Sequence, residues 1–389
     1  MDRKIKISVL LLAMAGFALF TSNALAQETP PYRVAAGLFD ASKPNDLGLK
    51  AAPGAETFTV FRPSGRAANY NNGVVLLPFK GKLYAQWQSS ARDEDAPDTF
   101  VSYSVSRDGE HWSAPKTLVR AGGALHSSGG WWTDGKTLIA YANVWPFGPG
   151  KGGYAEFRTS GDGLHWSKPA RVTDASGAPV DGVIEQDPHA LPDGRIVTAF
   201  HMRPGLIATP FYTDYPKGIA GWTRGAMANL PHNGAQSREL EPSWFARPDG
   251  TLVMVFRDQA SSFRQLAAAS ADRGATWTTP VPTDMPDSRA KQSAGNLPDG
   301  TAFLVNEPSG NASRIPLAIS LSKGGRLFDK AFLLRGGADL QPLRTPGKYK
   351  RPGYHYPKSV VWKGWLYVSY AANKEDVQIT RVPLAGLER

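Results

Sequence analysis

Polar and ionisable residues recur at one fixed offset along this chain, and their types suit ligand binding and proton transfer. Counting back nine positions from Gly81, Gly135, Gly194, Gly250, Gly300 and Gly364 gives Asn72, His126, Glu185, Glu241, Lys291 and His355. Two positions further along stand Ser128, Asp187, Ser243 and Ser293. Counting forward instead leads to Gln88, His201, Arg203, Arg257 and Asp258, with His189, Arg289, Tyr356 and Lys358 nearby. Arg203, Arg257, Arg289 and Lys291 would make a shared site positive, and an Arg fork grips a carboxylate through two hydrogen bonds. His126, His189, His201 and His355 are four of the seven His in the chain. An imidazole titrates near neutral pH, so it can both take and give a proton. Polar residues also mark where strands leave a core, so no single one of these decides anything. The bias toward cations and imidazoles across the set carries the argument.

The elements that position this set read from the same glycines. Each glycine precedes a β-rich run: 83–87, 137–141, 196–200, 252–256, 302–305 and 366–370. Four of the turns read Asp-Gly, a hairpin signal. No long segment has helical periodicity. A second register confirms the repeat. Ser106-Arg107-Asp108-Gly109-Glu110-His111-Trp112 is followed by Ser160-Gly161-Asp162-Gly163-Leu164-His165-Trp166 and by Ser270-Ala271-Asp272-Arg273-Gly274-Ala275-Thr276-Trp277. A degenerate copy ends at Phe328, with Gly324 where the Asp should stand, and Trp222 closes another eroded one. The closing aromatics recur about every 55 residues, a period of the size that marks repeat architectures.

Each motif has a physical logic. A short Asp in a tight turn accepts from neighbouring backbone N–H groups, Gly takes the positive φ, and the Trp plugs into the core. Six four-stranded units of this kind predict an all-β chain forming a single β-propeller. The last unit runs out of chain after 377–382, so the strand-like run 57–61 is expected to complete it and join the two ends. Residues 28–55 are unassigned and the interval from Gly300 to Gly364 is stretched, which leaves room for a seventh blade. The motif turns then lie on one face. The strand starts and the loops leaving the second strands converge on the axis at the other face, where the ligand site is expected.

Residues 1–26 carry Arg3, Lys4 and Lys6, an apolar run over 7–20, and Ala24-Leu25-Ala26 before Gln27. This reads as a secretory leader cleaved after Ala26, too short for a membrane span, and the expected location is periplasmic or secreted. Residues 27–56 then form an N-terminal extension and 57–389 a catalytic propeller. The chain has no Cys and a net charge of +10. Positive charge outside the cytoplasm draws acidic glycans. No basic stretch interleaved with aromatics argues for nucleic acid. The expected partner is an acidic oligo- or polysaccharide, a uronate or a sialate, with no membrane after cleavage and a monomeric chain. The loop Arg92-Asp93-Glu94-Asp95 offers carboxylates to Ca²⁺, but adjacent carboxylates rarely converge on one ion, so no cofactor is expected and the loop is read as solvated or substrate-facing.

The three repeats are Asp boxes, and through them the whole chain resembles the sialidase-like propeller superfamily. That resemblance implies a fold and does not by itself choose a function. Exo-sialidases of the superfamily use an Arg triad, an acid/base Asp and a Tyr–Glu pair, and their first Arg opens an Arg-Ile-Pro motif ahead of the first box. Here Arg314-Ile315-Pro316 falls late, and Arg62-Pro63 is early but lacks the Ile. Several segments resemble propellers that remove terminal L-rhamnose from glucuronic acid in arabinogalactan and gum arabic, described as lyases or rhamnosidases. They include Tyr70-Asn71-Asn72-Gly73, Ser128-Gly129-Gly130-Trp131-Trp132, Gln186-Asp187-Pro188-His189, Phe256-Arg257-Asp258-Gln259 and Tyr356-Pro357-Lys358-Ser359.

That likeness implies β-elimination. Arg203 and Arg257 would neutralise the uronate carboxylate, His126, His189 and His201 are candidate bases or acids, and Tyr356 is a further acid. Asn72, Gln88, Arg92, Glu185, Asp187, Glu241, Arg289, Lys291, His355 and Lys358 would bind substrate, with no metal. Glu185, Asp187 and Glu241 keep a hydrolase open, either an exo-sialidase or a rhamnosidase, because hydrolysis commonly needs two carboxylates. A glycan-binding propeller without catalysis is the third reading.

Overall fold

The structure is a computed structural model that describes residues 29–65, 67–147, 152–186 and 188–388. The leader read over 1–26 and the candidate Asp187 lie outside the described residues.

Six antiparallel sheets form the six blades of a propeller. Their innermost strands are Tyr70–Phe79, Ala124–Thr133, Gly182–Ile184 with His189–Ala190, Glu239–Ala246, Ser293–Asn296 and Tyr354–Trp362. Each pairs with the β-rich run predicted to follow its turn glycine. Blade 6 takes its outer strand, Glu56–Phe61, from the N-terminal side, paired with Asp376–Pro383. Closure therefore lies where the sequence places it, and among the described residues no seventh blade forms. The described residues of the unassigned stretch, 29–55, strap the outside of blades 4 and 5 instead. Arg33–Val34 pairs with Leu327–Phe328, and Tyr32 packs its ring on Phe245 and Phe328.

Every seam between adjacent blades is filled by apolar side chains. Trp131, Tyr84 and Tyr103 fill the seam of blades 1 and 2. Phe200 and Trp222 fill the next, and Trp244 and Trp277 the one after. Tyr354, Tyr370 and Leu366 lie between blades 5 and 6. Full burial of one such side chain contributes about 2–3 kcal/mol, so the ring of seams holds the blades without a disulfide.

The Asp boxes pin these seams. In the first box the Ser106 hydroxyl accepts from Gly109 N at 2.7 Å, and Asp108 accepts from the N–H groups of Glu110 and His111 at 2.9 Å. The second and third boxes repeat the bonds around Asp162 and Asp272. Gly163 has φ 74°, and a Cβ there would meet the Tyr84 hydroxyl at 2.1 Å. Glycine is required at that position both for the turn and for the close approach of the neighbouring blade.

Candidate active site

A cavity of about 590 Å³ opens where the strand starts converge, on the face away from the Asp boxes. A repeated irregularity aims residues into it. The inner strands of blades 1, 2, 4 and 6 lose register at their starts, at Asn72/Val75, Ser128/Gly130, Leu240/Ser243 and His355/Lys358. A bulge inserts an extra residue and re-aims the side chains around it. In blades 1 and 2 glycines take positive φ at these points, Gly73 and Gly130, but in blades 4 and 6 Glu241 (φ 52°) and Tyr356 (φ 56°) do. Arg289 (φ 57°) and Asp95 (φ 60°) add two more side chains of this pocket in the left-handed region. Such conformations cost about 1–3 kcal/mol each and cluster at functional sites.

Tyr356, Arg257 and Glu241 meet on the pocket floor. Nη1 of Arg257 donates to Glu241 Oε2 at 2.9 Å and to the Tyr356 hydroxyl at 3.3 Å, and Nη2 donates to Gln259 Oε1 at 2.8 Å. Burial works against a charged Glu241, yet Arg257 and Lys291 outweigh it and hold the carboxyl at about 2. Burial and the nearby Glu241 push the Tyr356 phenol well up. The floor thus holds an anionic carboxylate and a neutral phenol under one guanidinium. Lys291 bridges Glu185 Oε2 (3.1 Å) and Gln186 Oε1 (2.9 Å) at the base of the pocket.

Three further arginines surround Tyr356. Arg314 lies over its ring at 5.4 Å, and Arg289 and Arg351 line the same cavity. Behind them are two buried acids. Burial raises Asp287 to about 6 and Glu307 to about 8, where the proximity of Asp287 adds to the effect. Ser288 donates to Glu307 at 2.9 Å. At neutral pH Glu307 therefore keeps its proton, and the cluster facing the cavity remains net positive.

Two acids stand at the rim on the loop between the second and third strands of blade 1. Glu94 pairs with the buried Lys374. Asp95 reaches solvent at the rim, and crowding by protein together with the charge of Glu94 raises its pKa. Asp93 turns away and accepts from Lys348 N at 2.7 Å. The three carboxylates diverge, and among the described residues no group of three acid or imidazole side chains is arranged to hold a metal ion.

Of the residues singled out in the sequence, Gln88, Ser128, Glu185, His201, Glu241, Arg257, Arg289, Lys291 and Tyr356 line this cavity. Asn72 lies just beneath, its amide 3.5 Å from Glu94 Oε1. The other candidates are elsewhere. His126 is buried, with Nε2 3.4 Å from the Gly122 carbonyl. Arg203 is drawn aside by Asp181 at 2.8 Å, and Arg92 is exposed and paired with Asp93. His355 is buried beneath the pocket against Arg314. His189 and Lys358 line a different cavity of about 680 Å³ at the other end of the axis, where His189 packs on Trp244 at 5.2 Å. The break in the inner strand of blade 3 carries His189 past the pocket toward the turn face.

The structure brings in Asp95, Gln259, Arg314, Arg351 and Lys374, which the fixed offset does not reach. All sit on loops or turns beyond the strands. Arg314 had one visible signal, its place in an Arg-Ile-Pro sequence on a loop leaving a second strand.

Residues 81–368 match the family described as BNR repeat-like domain. No curated protein matches the chain. Among solved structures it is similar to a sialidase, with a TM-score of 0.61 and 19% identity over 91% of this chain. The chain spans only 35% of that protein's length. It is also similar to a leech intramolecular trans-sialidase complexed with 2,7-anhydro-Neu5Ac (TM-score 0.66, 14% identity, 85% of this chain and 71% of that one). The intramolecular trans-sialidase from Ruminococcus gnavus in complex with oseltamivir carboxylate gives a TM-score of 0.63 and 14% identity, over 89% of this chain and 99% of that one. At these identities the likeness to solved structures is one of fold.

Proposed function

The chain belongs to the BNR repeat-like family of sialidase-fold propellers, and on that premise we propose that it is an exo-acting, retaining glycosidase for a terminal sugar bearing a carboxylate. The observation that carries this reading is the shared guanidinium. Arg257 Nη1 donates to both Glu241 and Tyr356, and Arg289, Arg314 and Arg351 surround them. A carboxylate on the sugar would enter this cationic floor and pair with the guanidinium forks.

The same charge selects the nucleophile. An anionic Asp or Glu would repel an anionic sugar, whereas a neutral phenol does not. Tyr356 attacks the anomeric carbon and its proton passes to Glu241. Glu241 is a weak base while Arg257 pairs with it. When the substrate carboxylate takes over part of that charge, the Glu241 pKa rises and the base becomes competent. Asp95, whose pKa is raised by crowding and by the charge of Glu94, is the group placed to give a proton to the leaving oxygen as the glycosidic bond breaks. Its carboxylate then draws a proton from the water that attacks the anomeric carbon, the departing Tyr356 oxygen takes its proton back from Glu241, and the product keeps its anomeric configuration.

Elimination from a rhamnosyl-glucuronate end would use the same cationic floor, and this specific match of charge keeps it as the second reading. The imidazoles offered for it are engaged otherwise: His126 is buried, His201 bonds the backbone, and His189 lies at the far end. Tyr356 would then have to take the C5 proton. Incubation with sialyllactose and, separately, with gum arabic tests the two. Free sialic acid without ultraviolet absorbance supports the glycosidase. Rhamnose accompanied by the absorbance of an unsaturated uronate supports the lyase. Turnover of neither, with retained binding, favours a glycan-binding propeller.

A further inference from the structure

Two buried imidazoles touch the machinery of the pocket, and they touch it through opposite nitrogens. His355 Nε2 lies 3.0 Å from the Arg351 carbonyl, and Nδ1 lies 2.6 Å from Arg314 Nη1. A carbonyl only accepts and a guanidinium only donates, so Nε2 carries the proton and Nδ1 is bare. His201 is the reverse. Its Nε2 lies 3.1 Å from the Glu241 backbone nitrogen, which only donates, and Nδ1 lies 3.5 Å from Glu185 Oε1. There Nε2 is bare and Nδ1 carries the proton.

We propose that His201 and His355 are a pair of positioning residues, each a neutral imidazole of fixed and opposite tautomer that aims one working group of the pocket. This rests on the roles given above to Glu241 and Arg314. His355 sets the direction of a buried guanidinium whose Nε has no hydrogen-bond partner among the described residues. His201 clamps the peptide N–H of Glu241 while Gln292 Nε2 donates to its C=O at 2.9 Å. Those two bonds hold Glu241 in its left-handed conformation and turn its carboxylate toward Arg257. Protonation would place a donor against a donor at either ring. The charged groups around His355 are Arg314, Lys374 and Arg351, all cationic. Around His201, Glu185 and Glu241 are balanced by Lys291 and Arg257. Burial disfavours the charged form of both rings.

Opposite tautomers give a crossed test. The amide oxygen of Asn stands near the place of Nδ1, and that of Gln near the place of Nε2. Expected are H355N and H201Q within about 3-fold of the parent kcat/KM, H355Q with KM raised about 10-fold, and H201N with kcat lowered about 100-fold, all at parental thermal midpoint. Equal loss from both amides at either position, or equal tolerance of both, would overturn the proposal. ¹⁵N NMR of the unsubstituted protein at pH 6 reads the tautomers without any substrate. His355 protonated at Nδ1, His201 protonated at Nε2, or either ring doubly protonated would overturn it as well. A protein that hydrolysed no acidic sugar would refute the glycosidase reading alone, and the NMR measurement would still decide this one.

Discussion

The hydroxyl of Tyr356, on blade 6, accepts from Nη1 of Arg257, on blade 4, at 3.3 Å across the propeller axis. Blade 5 lies between them, so the contact exists only because both inner ends reach the axis. Blade number and closure therefore determine the chemistry, since an added blade would pull the two groups apart.

Arg257→Lys keeps the charge and loses the fork. The KM for an acidic sugar should rise by about 100-fold, corresponding to about 2–3 kcal/mol. Kinetics on a sialoside and on its uncharged carboxamide check this. The parent should prefer the acid strongly, and the variant should lose most of that preference.

Asp95→Asn removes the acid from the rim. A substrate with a poor leaving group, such as a sugar alcohol, should lose about 10²–10⁴-fold in kcat/KM. An aryl glycoside with an acidic phenol needs little protonation and should lose far less. Comparing the two leaving groups in one variant separates an acid from a residue that only binds.

The buried acids give stability a pH dependence of defined sign. Glu307 rises from an ordinary 4.5 to about 8, and Asp287 from 3.8 to about 6, chiefly by burial. Between those limits the folded state holds more protons than the unfolded state. The contribution of these two acids is full below about pH 4 and declines as pH rises through about 6 and then about 8. Glu307→Gln should remove the upper part of that decline, on the order of 1–3 kcal/mol. Urea unfolding at pH 6 and pH 8.5 measures it.

Gly163→Ala tests the Asp box as a structural pin. The new Cβ meets the Tyr84 hydroxyl and the backbone is held at φ 74°. Stability should fall by about 2–4 kcal/mol. The KM should not change, because the turn lies on the face away from the pocket. A calorimetric scan with a parallel KM determination checks both halves.

How far the sequence reaches can be traced at particular residues. The Asp boxes are local, and each bond of Asp108 spans two or three positions. A pattern so short survives in the sequence and serves as a ruler for six blades. The fixed offset from the turn glycines reaches Glu185, Glu241 and Lys291, all in the pocket. It picks His355 in blade 6, but the bulge there turns Tyr356 to the axis instead. One residue of register exchanges the faces of a strand, and nothing in Tyr354-His355-Tyr356 announces the bulge. Arg203 has the right type at a strand end, yet Asp181 lies closer to it than the axis does. Asp95, Arg314 and Arg351 stand on irregular loops, where no period relates sequence position to space.

Trapping of the tyrosyl–sugar bond bears most directly on the central claim. Fluorination beside the anomeric carbon of a sialosyl fluoride slows the second step more than the first and lets the covalent species accumulate. Peptide mass spectrometry of the treated protein should show the sugar on Tyr356, with no adduct in Y356F. An adduct on another residue, or release of an unsaturated uronate from gum arabic by a protein that no such reagent labels, would contradict it.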